Sequence, residues 1–130
     1  MRKEIRVFTL EEANALIPEI ETQLAQLETK HETFQRLEDH LFFEEILERN
    51  TPPETQLREL EECLLRLEEE IKRIRELGCL LRHPLRGWVD FLAREGDNWF
   101  CYCWRRGEKG IQYYHSLNGG FFERQPLQHA

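Results

Sequence analysis

Two carboxylates and an imidazole, Asp90, Glu108 and His115, fall in the aromatic C-terminal part of the chain. They are the groups from which a metal or small-molecule site, that of a hydrolase if catalytic, could be built. His115 would be the ligand or general base, and Asp90 and Glu108 the ligands or orienting groups. The bland alternative is equally concrete: Asp90 caps a turn or pairs with Arg124, Glu108 is an ordinary turn residue, and His115 hydrogen-bonds within a sheet. Other candidates are weaker. Cys101 and Cys103 place two thiols on one strand face, but a structural zinc needs four ligands and no second pair stands at a fitting spacing. His31 sits between Leu27 and Phe34 on an apolar helical stripe, where an imidazole is more often core than ligand. His40, His83 and His129 have polar or turn surroundings that form no constellation. Phosphate-binding glycine loops, HExxH and GxSxG are absent from the sequence, so no cofactor is assigned.

The elements that must position Asp90 and His115 are short strands. Gly87 to Leu92, Trp99 to Trp104 and Ile111 to His115 are β-prone runs, linked by Glu95-Gly96-Asp97-Asn98 and by Arg106-Gly107-Glu108-Lys109-Gly110. They predict a three-stranded antiparallel meander over residues 87–115. If Leu92 pairs Asn98 and Trp104 pairs Ile111, Asp90 faces Phe100, which faces His115. Acid and imidazole then flank one ring about 10 Å apart, on a face shared with Trp88, Tyr102, Trp104 and Tyr113. Val89, Phe91, Trp99, Cys101, Cys103 and Tyr114 take the other face. A slip of one residue would swap faces.

The first part of the chain reads as a long antiparallel helical hairpin, residues 10–77, with coiled-coil-like patterning. Thr9-Leu10-Glu11-Glu12 has the form of a capping box, so helix 1 should start at Leu10. Pro18 lies inside it and predicts a kink or break near Leu16 and Ile17. The stripe Ile20, Leu24, Leu27, His31, Phe34, Leu37 and Leu41 then continues, broadened by Phe42, Ile46 and Leu47. Asn50-Thr51-Pro52-Pro53 marks a turn, helix 2 begins near Pro53 or Glu54, and Gly78 suits a left-handed cap. Its stripe of Leu57, Leu60, Leu64, Leu67, Ile71 and Ile74 should bury against helix 1. Residues 5–8 are β-prone and could add a strand. Helix 1 outruns helix 2 by over ~20 Å, and the surplus must bend, pack on the C-terminal part or pair with another subunit.

The fold class is therefore α+β, expected as a single domain over residues 1–130 with a tail at 116–130. Residues 1–78 carry 11 Lys+Arg against 20 Asp+Glu, and residues 79–130 carry 7 against 5. So acidic a hairpin repels a phosphate backbone, which argues against nucleic acid as partner. No apolar run is long enough to span a bilayer, and the N-terminus lacks the pattern of a signal peptide, so a cytoplasmic protein without membrane contact is expected. In that compartment Cys63, Cys79, Cys101 and Cys103 should be free thiols. Surplus helix motivates the leading functional expectation, a non-enzymatic interaction or assembly module that self-associates or binds a protein through its helices. A small-molecule or metal site around Asp90, Glu108 and His115 is the alternative.

Several runs point to a family: Phe8-Thr9-Leu10-Glu11-Glu12-Ala13-Asn14 with Pro18, Gly87-Trp88-Val89-Asp90-Phe91, Cys103-Trp104, Gly107-Glu108, His115, Gly120-Phe121, and Arg124 with Pro126-Leu127. In order and spacing the chain resembles the bacterial family catalogued as domain of unknown function number 2203, over nearly its whole length. The resemblance brings no activity. It implies that Asp90, Phe91, Cys103, Trp104, Gly107, Glu108, His115 and Arg124 occupy recurrent family positions, which adds Arg124 to the candidate site. Two positions depart from the pattern. Leu92 stands where a proline is expected, and Tyr114 where a tryptophan is expected.

Overall fold

A computed structural model describes residues 6–127. The first helix, α1 (Leu10–Phe42), starts where its capping box demands: the Thr9 hydroxyl accepts from the Glu12 amide at 3.1 Å, and the Glu12 carboxylate accepts from the Thr9 amide at 2.9 Å. The Thr9 amide, and after it the Thr9 side chain, by hydrogen bonding to the Glu12 carboxyl hold that carboxyl below its ordinary value. The box thus contributes fully above the usual carboxylate range and is lost as pH falls through that lowered value.

The expected break at Pro18 is absent, and α1 runs through it unbroken. Ala13, Ile17, Ile20 and Leu24 on either side are buried, and this packing keeps the helix continuous despite the missing ladder bond. A five-residue π-helical turn, Phe43–Leu47, ends the rod. The second helix, α2 (Glu54–Glu76), follows Pro53 and closes at Gly78, whose φ of +96° suits glycine. A Cβ at Gly78 would stand 2.8 Å from the Arg6 side chain.

The two helices pack side by side, with contacts that run in opposite chain order. Lys30 meets Glu70, while Phe34 and Glu38 share a groove with Leu57, Leu60 and Leu64. The expected α2 stripe is only partly the buried one. Cys63, Glu70 and Ile74 turn inward, whereas Leu57 and Leu64 keep 46% and 40% of their surface exposed. Glu70, fully buried, is held by Lys30 at 2.7 Å and Arg73 at 3.2 Å, while Leu67 and Ile71 of the stripe pack partly buried against the core.

The sheet has five antiparallel strands, not three: β1 (Leu80–His83), β2 (Trp88–Glu95), β3 (Asn98–Arg105), β4 (Tyr113–Ser116) and β5 (Gln125–Pro126), in chain order. The two extra strands are four and two residues long, too short to show a period. The N-terminal segment adds one bond, Phe8 N–H to the Leu92 carbonyl at 2.8 Å, and no strand among the described residues; Ile5 of the expected strand lies outside them.

Phe8, Ala13, Ile17, Ile20, Leu24 and Leu27 pack with Ile74 and with Leu81, Val89, Phe91 and Trp104. The surplus length of α1 is therefore spent covering one face of the sheet, which leaves the opposite face for Asp90 and His115.

Candidate functional site

A two-residue turn, Gly96-Asp97, joins β2 to β3, with Gly96 at φ +61°. It pairs Glu95 with Asn98 and hence Asp90 with Cys103, so β3 is three residues out of the expected register. Against β3, β4 is one residue out: Cys101 pairs His115 and Phe100 pairs Ser116. Each shift is odd and flips a strand, so the two cancel between β2 and β4. Asp90 and His115 keep a common face, with Trp88 and Tyr113 as expected. Cys101 and Cys103 join them, together with Trp99, while Tyr102 and Trp104 turn to the helices.

The expected separation of Asp90 and His115 is overturned, because the two side chains touch. Across the small Cys101 and Cys103 of the middle strand, His115 Nε2 lies 2.8 Å from Asp90 Oδ2. Asp90 Oδ1 accepts from Trp88 Nε1–H at 3.0 Å, and Arg82 Nε stands 3.8 Å from Oδ2. His115 Nδ1 is 2.7 Å from the Ser116 carbonyl, which can only accept, so Nδ1 carries a proton. A second proton must lie between Nε2 and the carboxylate, and the natural description is imidazolium against carboxylate. Asp90 and Cys103 are fully buried and His115 is 2% exposed.

Burial, then the charge of Asp90, then a hydrogen bond to that carboxylate push the Cys103 thiol up to about 12; Arg124 and Trp88 oppose them. Burial and Asp90 push Cys101 up to about 11. All four cysteines are free and buried, as the missing need for disulfides predicted.

Glu108 and Arg124 are not ligands in this cluster. They bond each other, Arg124 Nη1 lying 3.0 Å from both Glu108 oxygens, and Glu108 Oε1 also accepts from the Arg105 amide at 2.7 Å. The pairing of Arg124 with Asp90 is thus replaced by one with Glu108. The Arg124 guanidinium lies over the Tyr113 and Phe121 rings, at 4.1 and 4.0 Å from their centroids. Phe121 meets Trp88 edge-on at 5.5 Å, and a Cβ at Gly119 would stand 3.4 Å from His115 Cβ. Residues 117–124 form a cover over the cluster, with Glu108 and Arg124 as its latch.

Of the other histidines, His83 Nδ1 accepts from the Arg86 amide at 3.4 Å, His40 lies 4.0 Å from Glu44, and half-buried His31 joins no cluster. His129 lies outside the described residues. Residue-by-residue reading placed Trp88 on this face but Cys103 on the other, so Cys103 is the member it missed. The Gly-Asp pair at 96–97 was the signal that could have found Cys103, since reading it as a two-residue hairpin turn sets the register.

Thiolate is the reactive form of cysteine, so Cys101 and Cys103 in the folded protein at pH 8 should alkylate at least ~100-fold more slowly than in urea. Arg124→Ala, which opens the latch, should speed both without unfolding the helices. Mass spectrometry of iodoacetamide time courses reads this out. Equal rates in folded and unfolded protein would contradict the sealed cluster.

No helix among the described residues is long and apolar enough to cross a membrane. No curated protein and no solved structure matches the chain. A family model described as "Uncharacterized conserved protein (DUF2203)" matches residues 6–127, which takes in both helices, the sheet, the buried cluster and its latch. On that match the chain belongs to the DUF2203 family of uncharacterized conserved proteins.

Proposed function

We propose that the protein is a non-enzymatic assembly module, whose helix pair docks at its far end onto another protein with an apolar, basic-rimmed surface. One observation carries the reading. Of thirteen exposed large apolar side chains among the described residues, seven cluster in chain position on this end: Phe42, Phe43, Ile46, Leu47, Leu57, Leu64 and Leu65. Scattered apolar residues need no explanation, but a concentration of aromatic and branched side chains on one element pair marks a contact surface. The surplus length of α1 no longer supports the idea, since it covers the sheet. The π-helical turn and Arg49 at φ +55° lie at the same end, and such irregularities gather at functional positions.

Charge selects the partner. Residues 36–66 hold four arginines, no lysine and nine acidic residues. Two copies meeting here would set like charges together, whereas a basic rim gains at each contact. The closed state of Asp90, Cys103 and His115 weighs against hydrolysis, since a substrate has no direct contact with them.

The probe is a synthetic amphipathic helix of leucine and lysine, followed by fluorescence anisotropy, beside sedimentation of the protein alone. A monomer at tens of micromolar that binds the peptide is expected. The triple variant Phe42→Ser, Ile46→Ser, Leu47→Ser keeps the charge and should bind at least ~10-fold more weakly. Equal binding by both proteins would reduce the contact to charge alone and reject the docking surface. A dimer abolished by the triple variant would make a second copy the occupant and reject the basic-rimmed partner.

A further inference from the structure

We propose that Asp90, Cys103 and His115 form a binding site for one divalent transition-metal ion of the zinc type. The inference is independent of the assembly reading. It replaces the trio Asp90, Glu108 and His115 by one in which Glu108 belongs to the latch and a thiol takes its place.

Distance is the first support. One carboxylate oxygen, the Cys103 sulfur and one imidazole nitrogen all lie within 4.8 Å of one another. An ion bound at ~2.0–2.3 Å to such donors needs only a modest contraction of that triangle. The donor set is the second. One sulfur, one nitrogen and one oxygen favour zinc or copper over magnesium or calcium, which take oxygen.

The outer contacts are the third support, and the most specific. A metal-binding histidine holds its other ring N–H against a carbonyl or carboxylate, which fixes the ring and aims the free nitrogen. His115 Nδ1 does this with the Ser116 carbonyl at 2.7 Å and aims Nε2 at Asp90. The second carboxylate oxygen is held in turn by Trp88 Nε1–H at 3.0 Å. Both residues are therefore oriented from behind, with their remaining donor atoms facing inward toward Cys103.

Charge closes the argument. Without metal the cluster is imidazolium, carboxylate and thiol, which sum to zero. With metal it is imidazole, carboxylate, thiolate and a dication, which also sum to zero. The ion takes the place of the proton shared by His115 and Asp90 and of the proton on Cys103; about two protons leave as it enters, and the net charge beside Arg82, which stands 3.8 Å from Asp90 Oδ2, is unchanged.

Because the cluster is sealed, the experiment unfolds the full chain in urea under reducing conditions and refolds it with cobalt(II), a coloured stand-in for zinc. About one equivalent should bind, with a near-ultraviolet sulfur-to-cobalt band that zinc bleaches and a release of about two protons. Cys103→Ser should remove that band and weaken binding at least ~100-fold, while Cys63→Ser leaves both unchanged. Helical circular dichroism verifies folding, and Cys103→Ala replaces the serine variant if that fails to fold. Refolded wild-type protein with no such band under excess cobalt overturns the proposal without any variant. A band that survives loss of Cys103 but not of Cys63 overturns it as well.

Discussion

Asp90→Ala is expected to destabilise the protein by about 3–5 kcal/mol, the range for removing one partner of a buried ion pair. Three groups lose their acceptor at once: the His115 Nε2–H, the Trp88 indole N–H and the Cys103 thiol. With Asp90 fully buried, water cannot take its place without opening the cover. Against a typical total stability of about 5–15 kcal/mol, such a loss leaves the fold marginal.

Asp90→Asn separates charge from hydrogen bonding. Its carbonyl oxygen can still accept from Trp88, and its amide N–H₂ can donate to Nε2 once His115 is neutral with the proton on Nδ1. The asparagine variant should therefore lose only about 1–2 kcal/mol. Urea unfolding of both variants, with slopes compared, measures the order. If alanine and asparagine cost the same, the proton arrangement derived for this pair is wrong; an alanine cost below about 1 kcal/mol would mean that the pair is open to solvent.

Trp104→Ala should cost a similar amount, about 3–5 kcal/mol, for an unrelated reason. Trp104 is the largest of the fully buried side chains and fills the layer between helices and sheet, among Ile20, Leu24, Leu27, Val89 and Phe91. Truncation removes its burial and leaves a cavity that the ordered helices cannot fully close. Its indole N–H also donates to the Glu108 carbonyl at 3.0 Å, so one side chain ties the core to the latch loop.

Trp104→Phe keeps most of the bulk and drops that bond, for a loss of about 1 kcal/mol plus whatever the smaller ring fails to fill. Faster amide exchange at residues 106–110 and 117–124, with the helices unchanged, is the signature expected of the phenylalanine variant. Unchanged exchange there would separate Trp104 from the latch. A melting temperature of the alanine variant close to that of the phenylalanine variant would deny the cavity.

Local chemistry was legible in the residues. The start of α1 follows from Thr9 and Glu12, the end of α2 from Gly78, and the reduced cysteines from the lack of any need for bridges. The centres of β2, β3 and β4 follow from their aromatic and branched runs. These signals act over a few residues, and the forces that set them are present in the sequence wherever the chain goes. Pro18 is the exception, since buried neighbours on both sides overrode a local tendency to break.

The pairing of Asp90 with His115 on one face was reached from a register that the fold does not use. Two odd shifts cancelled, and neither is visible in strand periodicity, which fixes alternation but not which residue stands opposite which. The Gly96-Asp97 turn settles the first, and the docking of β4 beyond a long loop settles the second. The partners of Glu70, Glu108 and Arg124 belong to the same class, for each meets a charge from a different element. The chain by itself therefore determined where helices and strands begin and which residues are worth watching. Tertiary structure alone decided contact, burial and the inclusion of Cys103, because a side chain's neighbours across a sheet depend on closures many residues away.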